Sequence, residues 1–304
     1  MANALTRTLP ELANWRAYLD LCKPRVVALL VFTAIGGMLL AVPGVVPLQP
    51  LILGSLGIGL GSAAAAALNH VMDREADARM RRTDRRPLPS GSLDTTRSLV
   101  FVSILTALSM FILTAGVNLL TALLTLGAMI GYAVIYTLYL KRATPQNIVI
   151  GGAAGAMPPV LGWAAVTGEV HAHALLLFLI IFVWTPPHFW ALALHRRHEY
   201  AGVDIPMLPV THGEELTRLH ILLYTVLLVA VSLLPWVVGM AGGLYLLAAL
   251  GFGGRFLWHA IRLWRHAEPG QAMKTFLHSI NYLMGVFGAL LIDHYVQIAL
   301  AAWT

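Results

Sequence analysis

The residues of this chain best suited to chemistry lie in 69–91, NHVMDREADARMRRTDRRPLPSG. The preceding eighteen residues, 51–68, contain no charge, and the stretch then places four carboxylates and six arginines between Asp73 and Arg86. If the apolar helix continues past Leu68, then Asn69, Asp73 and Asp77, each four residues on from the last, share one face. Two carboxylates a turn apart, with an amide one turn earlier, offer the oxygen ligands that a hard divalent cation takes. Mg²⁺ is commonly held by one or two carboxylates, with water and substrate phosphate completing its shell. The arginines downstream carry forked donors that match phosphate oxygens. The pattern predicts a diphosphate site at the end of a membrane helix.

The competing reading is a solvated, salt-bridged surface. Acids and bases at helical spacing usually form nothing more, and Asp73, Arg74, Asp77 and Arg81 suffice for it. The setting favours the site. The segment abuts an apolar helix, and an ionisable residue at membrane depth costs roughly 2.5–3.5 kcal/mol on insertion scales.

Composition supplies that setting. With 304 residues, 58% hydrophobic and 11% charged, and a mean hydropathy of +0.75, the chain reads as an all-α polytopic membrane protein. Its one cysteine, Cys22, excludes an intrachain disulfide framework and a multi-cysteine metal centre. The net charge of +6 is divided among several loops rather than gathered on a soluble face, which argues against nucleic acid as a partner. Residues 1–22 are polar and lack an apolar core, so no cleavable signal peptide is expected.

The elements that must position the acidic stretch are apolar runs of spanning length. Nine are expected, at about 26–42, 50–68, 98–115, 119–138, 148–166, 174–194, 219–238, 243–257 and 277–299. All 20 Lys and Arg residues then fall on one side. The positive-inside rule makes that side cytoplasmic, with the N-terminus inside and the C-terminus outside. A cytoplasmic segment, 1–25, precedes a single nine-helix domain, 26–301. The cytoplasmic connections are long and polar and the outer ones short and bland, so a central cavity should open to the cytoplasmic side.

Three further features concern the interior. The second run carries Gly54, Gly57, Gly59 and Gly61, which read as close helix packing. The fifth contains Pro158 and Pro159 and the sixth Pro186 and Pro187; each proline removes a helix hydrogen bond, so both helices should kink or open. Loosened backbone in a membrane is tolerated where it lines a cavity, which places His188 on a cavity wall. The alternative is a packing histidine whose ring donates to a carbonyl. In the connection 195–218, Glu199 and Asp204 form a second carboxylate pair, five apart, which needs a bend that Gly202 permits.

Together these residues resemble the UbiA superfamily of intramembrane prenyltransferases. The likeness rests on N-x-x-x-D-x-x-x-D at Asn69, Asp73 and Asp77, a second acidic loop and nine helices. The strings KPRVV (23–27), RRPLPSG (85–91), YTLYLKRATPQNIVIGGAAGAMPPVLGW (136–163), PPHFWALAL (186–194) and EYAGVDIPMLPV (199–210) are similar to its heme-prenylating branch. The likeness extends over about 23–281.

The resemblance implies transfer of a farnesyl group from farnesyl diphosphate to a vinyl group of heme B, with addition of water. The products are heme O and diphosphate, heme being a substrate rather than a cofactor. It implies that Asn69, Asp73 and Asp77 hold Mg²⁺ and the diphosphate. Arg82, Arg86, Lys141 and Arg142 would neutralise the leaving group, and Glu199, Tyr200 and Asp204 would form a second acidic site. Many members space that second pair as D-x-x-x-D, and this chain departs from it. His188 is the candidate for the heme side. The implied setting is the lipid bilayer of a bacterial cytoplasmic (inner) membrane, with heme A synthase or terminal-oxidase assembly factors as candidate partners. A quinone precursor or a chlorin is the alternative acceptor. Outside the family, broken helices also suit a secondary transporter, although ionisable residues within the spans are few apart from His188, His278 and Asp293. A heme-binding electron carrier would need paired histidines, but His171 and His173 lie on the outer side, away from most others.

Overall fold

Apolar segments in lipid can satisfy their backbone N–H and C=O groups only within themselves, so each spanning run becomes a helix. The computed structural model describes residues 15–80, 83–202, 206–266 and 268–301, apart from the side chain of Arg142. Its helices are α1 (Trp15–Leu21), α2 (Pro24–Leu40), α3 (Pro50–Ala78), α4 (Thr95–Gly116), α5 (Leu119–Leu140), α6 (Asn147–Thr167), α7 (Ala172–His195), α8 (Gly213–Val237), α9 (Gly243–His266) and α10 (Gln271–Ala301). Each predicted run corresponds to one of α2 to α10. Among the described residues, eight helices are long and apolar enough to cross a membrane. The pair α1 and α2, bent by 52°, makes a ninth if it is one span. No strand occurs among the described residues.

α3 packs most extensively on α4, α8 bridges α7 and α9, and α9 lies along α10. The second half of α6 lies against α2. That crossing is set by two glycines. A Cβ on Gly162 would stand 1.9 Å from the Ala34 carbonyl oxygen, and one on Gly37 would stand 2.2 Å from that of Pro159. The glycines singled out in the second run approach side chains instead: Gly57 meets Leu113, and Gly61 meets Thr125.

The two proline pairs behave differently. α6 is divided into Asn147–Ala156 and Pro158–Thr167, so the disruption expected there occurs. α7 runs unbroken from Ala172 to His195 through Pro186 and Pro187, so of the kink or opening expected in the sixth span the opening does not occur. Two prolines in succession remove only the N–H groups that would bond the Phe182 and Val183 carbonyls. The Thr185 hydroxyl donates to the Ile181 carbonyl at 2.8 Å, adding a bond to the turn that enters them. Burial of both prolines against neighbouring helices holds the rest.

Asp293, the buried acid of α10, has a structural task. It accepts from the backbone N–H groups of Gly242 (2.5 Å) and Tyr245 (3.1 Å) and from the Gln297 amide (2.5 Å). It thus satisfies N–H groups that α9 leaves open at its start.

Candidate active site

Because α3 remains helical to Ala78, Asn69, Asp73 and Asp77 do share a face, and that face is buried. Their exposures are 4%, 3% and 5%. The charges that remain in solvent are on the far side, where Arg74 and Glu75 pair at 3.5 Å. The surface-array reading therefore fails for Asp73 and Asp77 and holds only for their exposed neighbours.

Each of the three buried residues meets a cation from a different element. Lys141, at the end of α5, reaches Asp73 Oδ2 at 2.6 Å. Arg86, in the loop after α3, places Nη1 2.7 Å from Asp77 Oδ2. Lys23, between α1 and α2, donates from Nζ to Asn69 Oδ1 at 2.5 Å. The Asn69 amide in turn donates to Asp73 Oδ2 at 2.9 Å and to the Thr137 hydroxyl at 3.1 Å.

Local structure explains how the cations arrive. The second half of α5, Gly131–Leu140, is a π-helix, and the Thr137 hydroxyl donates to the carbonyl of Tyr132, five residues back, at 2.9 Å. The widened turns bring Thr137 and Lys141 to the same acidic face, consistent with the tendency of π segments to occur at functional sites. The loop carrying Arg86 is tied down by the Thr83 hydroxyl, which donates to the Asp77 carbonyl at 2.9 Å. Lys23 has φ 49°, the one non-glycine with positive φ among the described residues. This left-handed residue makes the elbow that turns α1 away from α2.

Lys23, Arg86 and Lys141 set three positive charges against the two of Asp73 and Asp77. Lys23 is the unbalanced one: its partner among the described residues is a neutral amide. Asp73 Oδ1 is buried and has no hydrogen-bond partner among the described residues. A free carboxylate oxygen beside a second carboxylate and an amide oxygen fits a hard divalent cation whose remaining positions are filled by water and phosphate. No cluster of three or more His, Cys, Asp or Glu residues with metal-binding geometry occurs among the described residues. A metal held here would therefore draw ligands from its substrate. The arrangement as a whole is a buried site with net positive charge, suited to an anion.

Next to it lies a cavity of about 480 Å³, within the usual range for small-molecule sites. Lys23 belongs to both. Tyr132 and Tyr136 of the π segment form one wall, stacked at 5.7 Å, and the glycines of the first half of α6 form another. Pro158, at the break in α6, also lines it, so the interrupted backbone does face a cavity.

His188 lies on the wall of this cavity, the place expected for it, although α7 is unbroken there. Its ring stacks between Trp184 (4.1 Å) and Phe276 (4.5 Å). Nδ1 is 2.6 Å from the Ser279 hydroxyl, which itself donates to the Phe276 carbonyl at 2.6 Å. With that hydroxyl proton committed, Nδ1 is the donor and Ser279 Oγ the acceptor. Nε2 is left with a lone pair and no hydrogen-bond partner among the described residues.

The second acidic motif is only partly described. Glu199 and Tyr200 lie on the short helix Arg197–Ala201 that follows α7. Tyr200 packs on a cluster containing Met80 and Ile148, which lie beside the acidic face and the cavity respectively. Asp204, Arg82 and the side chain of Arg142 fall outside the described residues. Lys23, Thr137 and the two stacked tyrosines are site residues that sequence spacing missed. The KPRVV string was a signal for Lys23; nothing in the hydropathy of α5 announced its π-helical turns.

Residues 29–284 match the UbiA prenyltransferase family. A protoheme IX farnesyltransferase of Methylococcus capsulatus is 64% identical over 283 residues, covering 93% of this chain and 95% of its own length. One from Nitrosococcus oceani is 62% identical over 285 residues, covering 94% and 95%. Among solved structures, a digeranylgeranylglyceryl phosphate synthase aligns with a TM-score of 0.79 at 18% identity, over 93% of this chain and 99% of its own. A UbiA homologue from Archaeoglobus fulgidus bound to DMAPP and Mg²⁺ aligns with a TM-score of 0.62 at 19% identity, over 90% and 98%. At such identities the two structures speak for the fold.

Proposed function

The chain belongs to the UbiA prenyltransferase family, and from that membership we propose that it moves a farnesyl group from farnesyl diphosphate to a vinyl carbon of heme B. Water adds to the product cation, giving heme O and diphosphate. The observation that carries the reading is the buried excess of positive charge around Asp73 and Asp77, joined through Lys23 to an apolar cavity. The names of relatives at 64% and 62% identity supply the acceptor.

In this reaction the allylic C–O bond breaks and the diphosphate leaves with the electron pair. The vinyl π electrons form the new C–C bond. Water then attacks the resulting cation and loses a proton. Lys23, Arg86 and Lys141 would neutralise the charge that develops on the leaving oxygen, in a site where little water competes. Arg82 and Arg142 would extend that set. Asp73, Asp77 and the amide oxygen of Asn69 would hold Mg²⁺, which when bound acts as a Lewis acid toward the phosphate oxygens. Glu199, Tyr200 and Asp204 belong in this reading to a second acidic site on the same face. The apolar cavity accommodates the farnesyl chain and keeps water from the allylic cation. We place the chain in a bacterial cytoplasmic membrane, N-terminus inside, with heme A synthase or terminal-oxidase assembly factors receiving the product.

Purified protein incubated with heme, farnesyl diphosphate and Mg²⁺ is expected to yield heme O by mass spectrometry, and chelation of the metal to stop it. Preferential prenylation of 4-hydroxybenzoate would instead assign a quinone precursor as the acceptor. His188 provides a finer test, since its free Nε2 is the kind of nitrogen that ligates heme iron. His188→Ala is expected to weaken heme binding about tenfold, roughly one lost polar contact, and to leave farnesyl diphosphate binding within about twofold. Equal loss of both would make the ring a packing residue.

A further inference from the structure

His70 sits inside the acidic motif and takes no part in the contacts described above. It is 3% exposed, and both ring nitrogens are buried without a hydrogen-bond partner among the described residues. A buried donor and acceptor that both go unmet are rare and unfavourable, and a group supplied from outside the chain usually explains them.

Its position says what that group is. At 3.6 residues per turn, His70 lies roughly 20° from Asp77 around α3 and two turns away along it. Along the helix axis it stands between Asn69, which Lys23 holds, and Asp77, which Arg86 holds. Leu21, at the end of α1, and Ala67, one turn before His70, belong to one buried apolar cluster. An imidazole on the helix that these two cations reach, one of them bonded only to a neutral amide, adds an N–H to a group of donors in need of an anion.

We propose that His70 is a phosphate-binding residue, its ring donating an N–H to an oxygen of the diphosphate on the side flanked by Lys23 and Arg86. This rests on the diphosphate reading of the Asp73–Asp77 site. It adds a neutral donor, which orients the leaving group without adding to the positive charge.

The test is calorimetric titration of inorganic pyrophosphate, with Mg²⁺, into the detergent-solubilised protein. His70→Phe keeps the ring's bulk and removes both nitrogens. It is expected to weaken pyrophosphate binding about tenfold to a hundredfold, the range for a lost bond to a charged group. Heme affinity and melting temperature should stay near those of the parent. His70→Gln, which retains an N–H at the end of its side chain, should recover most of the affinity. Parental affinity in His70→Phe would overturn the proposal, leaving the ring to a buried water. Equal loss in both variants, or a lowered melting temperature, would overturn it in favour of packing. Asp73→Asn keeps the two questions apart: if the parent binds no pyrophosphate and this variant changes nothing, the diphosphate reading fails, whatever His70 does.

Discussion

Asp73→Asn is expected to lower heme O formation by about 10²–10³-fold, the loss typical when a preorganised electrostatic contact to a developing charge is removed. The substitution preserves volume and the position of an oxygen. It removes the charge that a divalent cation requires and leaves the buried Oδ1 position without a carboxylate. It also leaves Lys141 beside a neutral amide, so three cations face one acid. Stability and chemistry can be separated at this pair. Lys141→Met leaves Asp73 buried without its ammonium and should destabilise the protein by about 3–5 kcal/mol, as broken buried pairs do. Combining Lys141→Met with Asp73→Asn should restore much of the melting temperature and none of the turnover. If Asp73→Asn alone stays within a few-fold of the parent in a mass-spectrometric assay, the pair is a structural ion pair and the metal site lies elsewhere.

Gly162→Ala should have the largest effect on folding. The added methyl group would fall 1.9 Å from the Ala34 carbonyl oxygen, a backbone atom that cannot rotate aside. Gly37 faces the Pro159 carbonyl from the other helix in the same way, so sliding one helix along the other relieves neither contact. Overpacking a membrane or core contact typically costs about 1–3 kcal/mol, and a backbone-on-backbone clash should reach or exceed the top of that range. The expected result is a chain that loses its melting transition or is degraded in the membrane. Gly127→Ala is the comparison, since a Cβ there meets nothing within 4 Å and the helix gains propensity. A Gly162→Ala protein that melts with the parent would mean that α2 and α6 part easily, and that the cavity wall they build is pliable.

The acidic face was legible in the sequence because it is a local property. Helical period alone puts Asn69, Asp73 and Asp77 in line, and the uncharged run before them shows that the helix is a membrane one. The spans were legible for the same reason: lipid leaves an apolar segment no choice but the helix. The proline pairs show where local reasoning stops. Local reasoning has both pairs kink or open their helices, yet only α6 divides, because α7 is held through its prolines by Thr185 and by burial between its neighbours.

What the sequence by itself determined was an all-helical membrane protein with two carboxylates and an amide along one helix face near a cluster of cations. Which cation meets which acid was decided by the tertiary structure alone. Lys141 reaches Asp73 across 68 residues and Lys23 reaches Asn69 across 46. Both contacts depend on features without a hydropathy signal, the π-helical turns of α5 and the left-handed backbone at Lys23. The same holds for His188, whose tautomer is set by Ser279, 91 residues away on α10. Hydropathy records whether a residue prefers lipid or water. It holds no information about helix rotation or crossing, and these decide which buried polar groups find partners and which, like the His70 nitrogens, find none among the described residues.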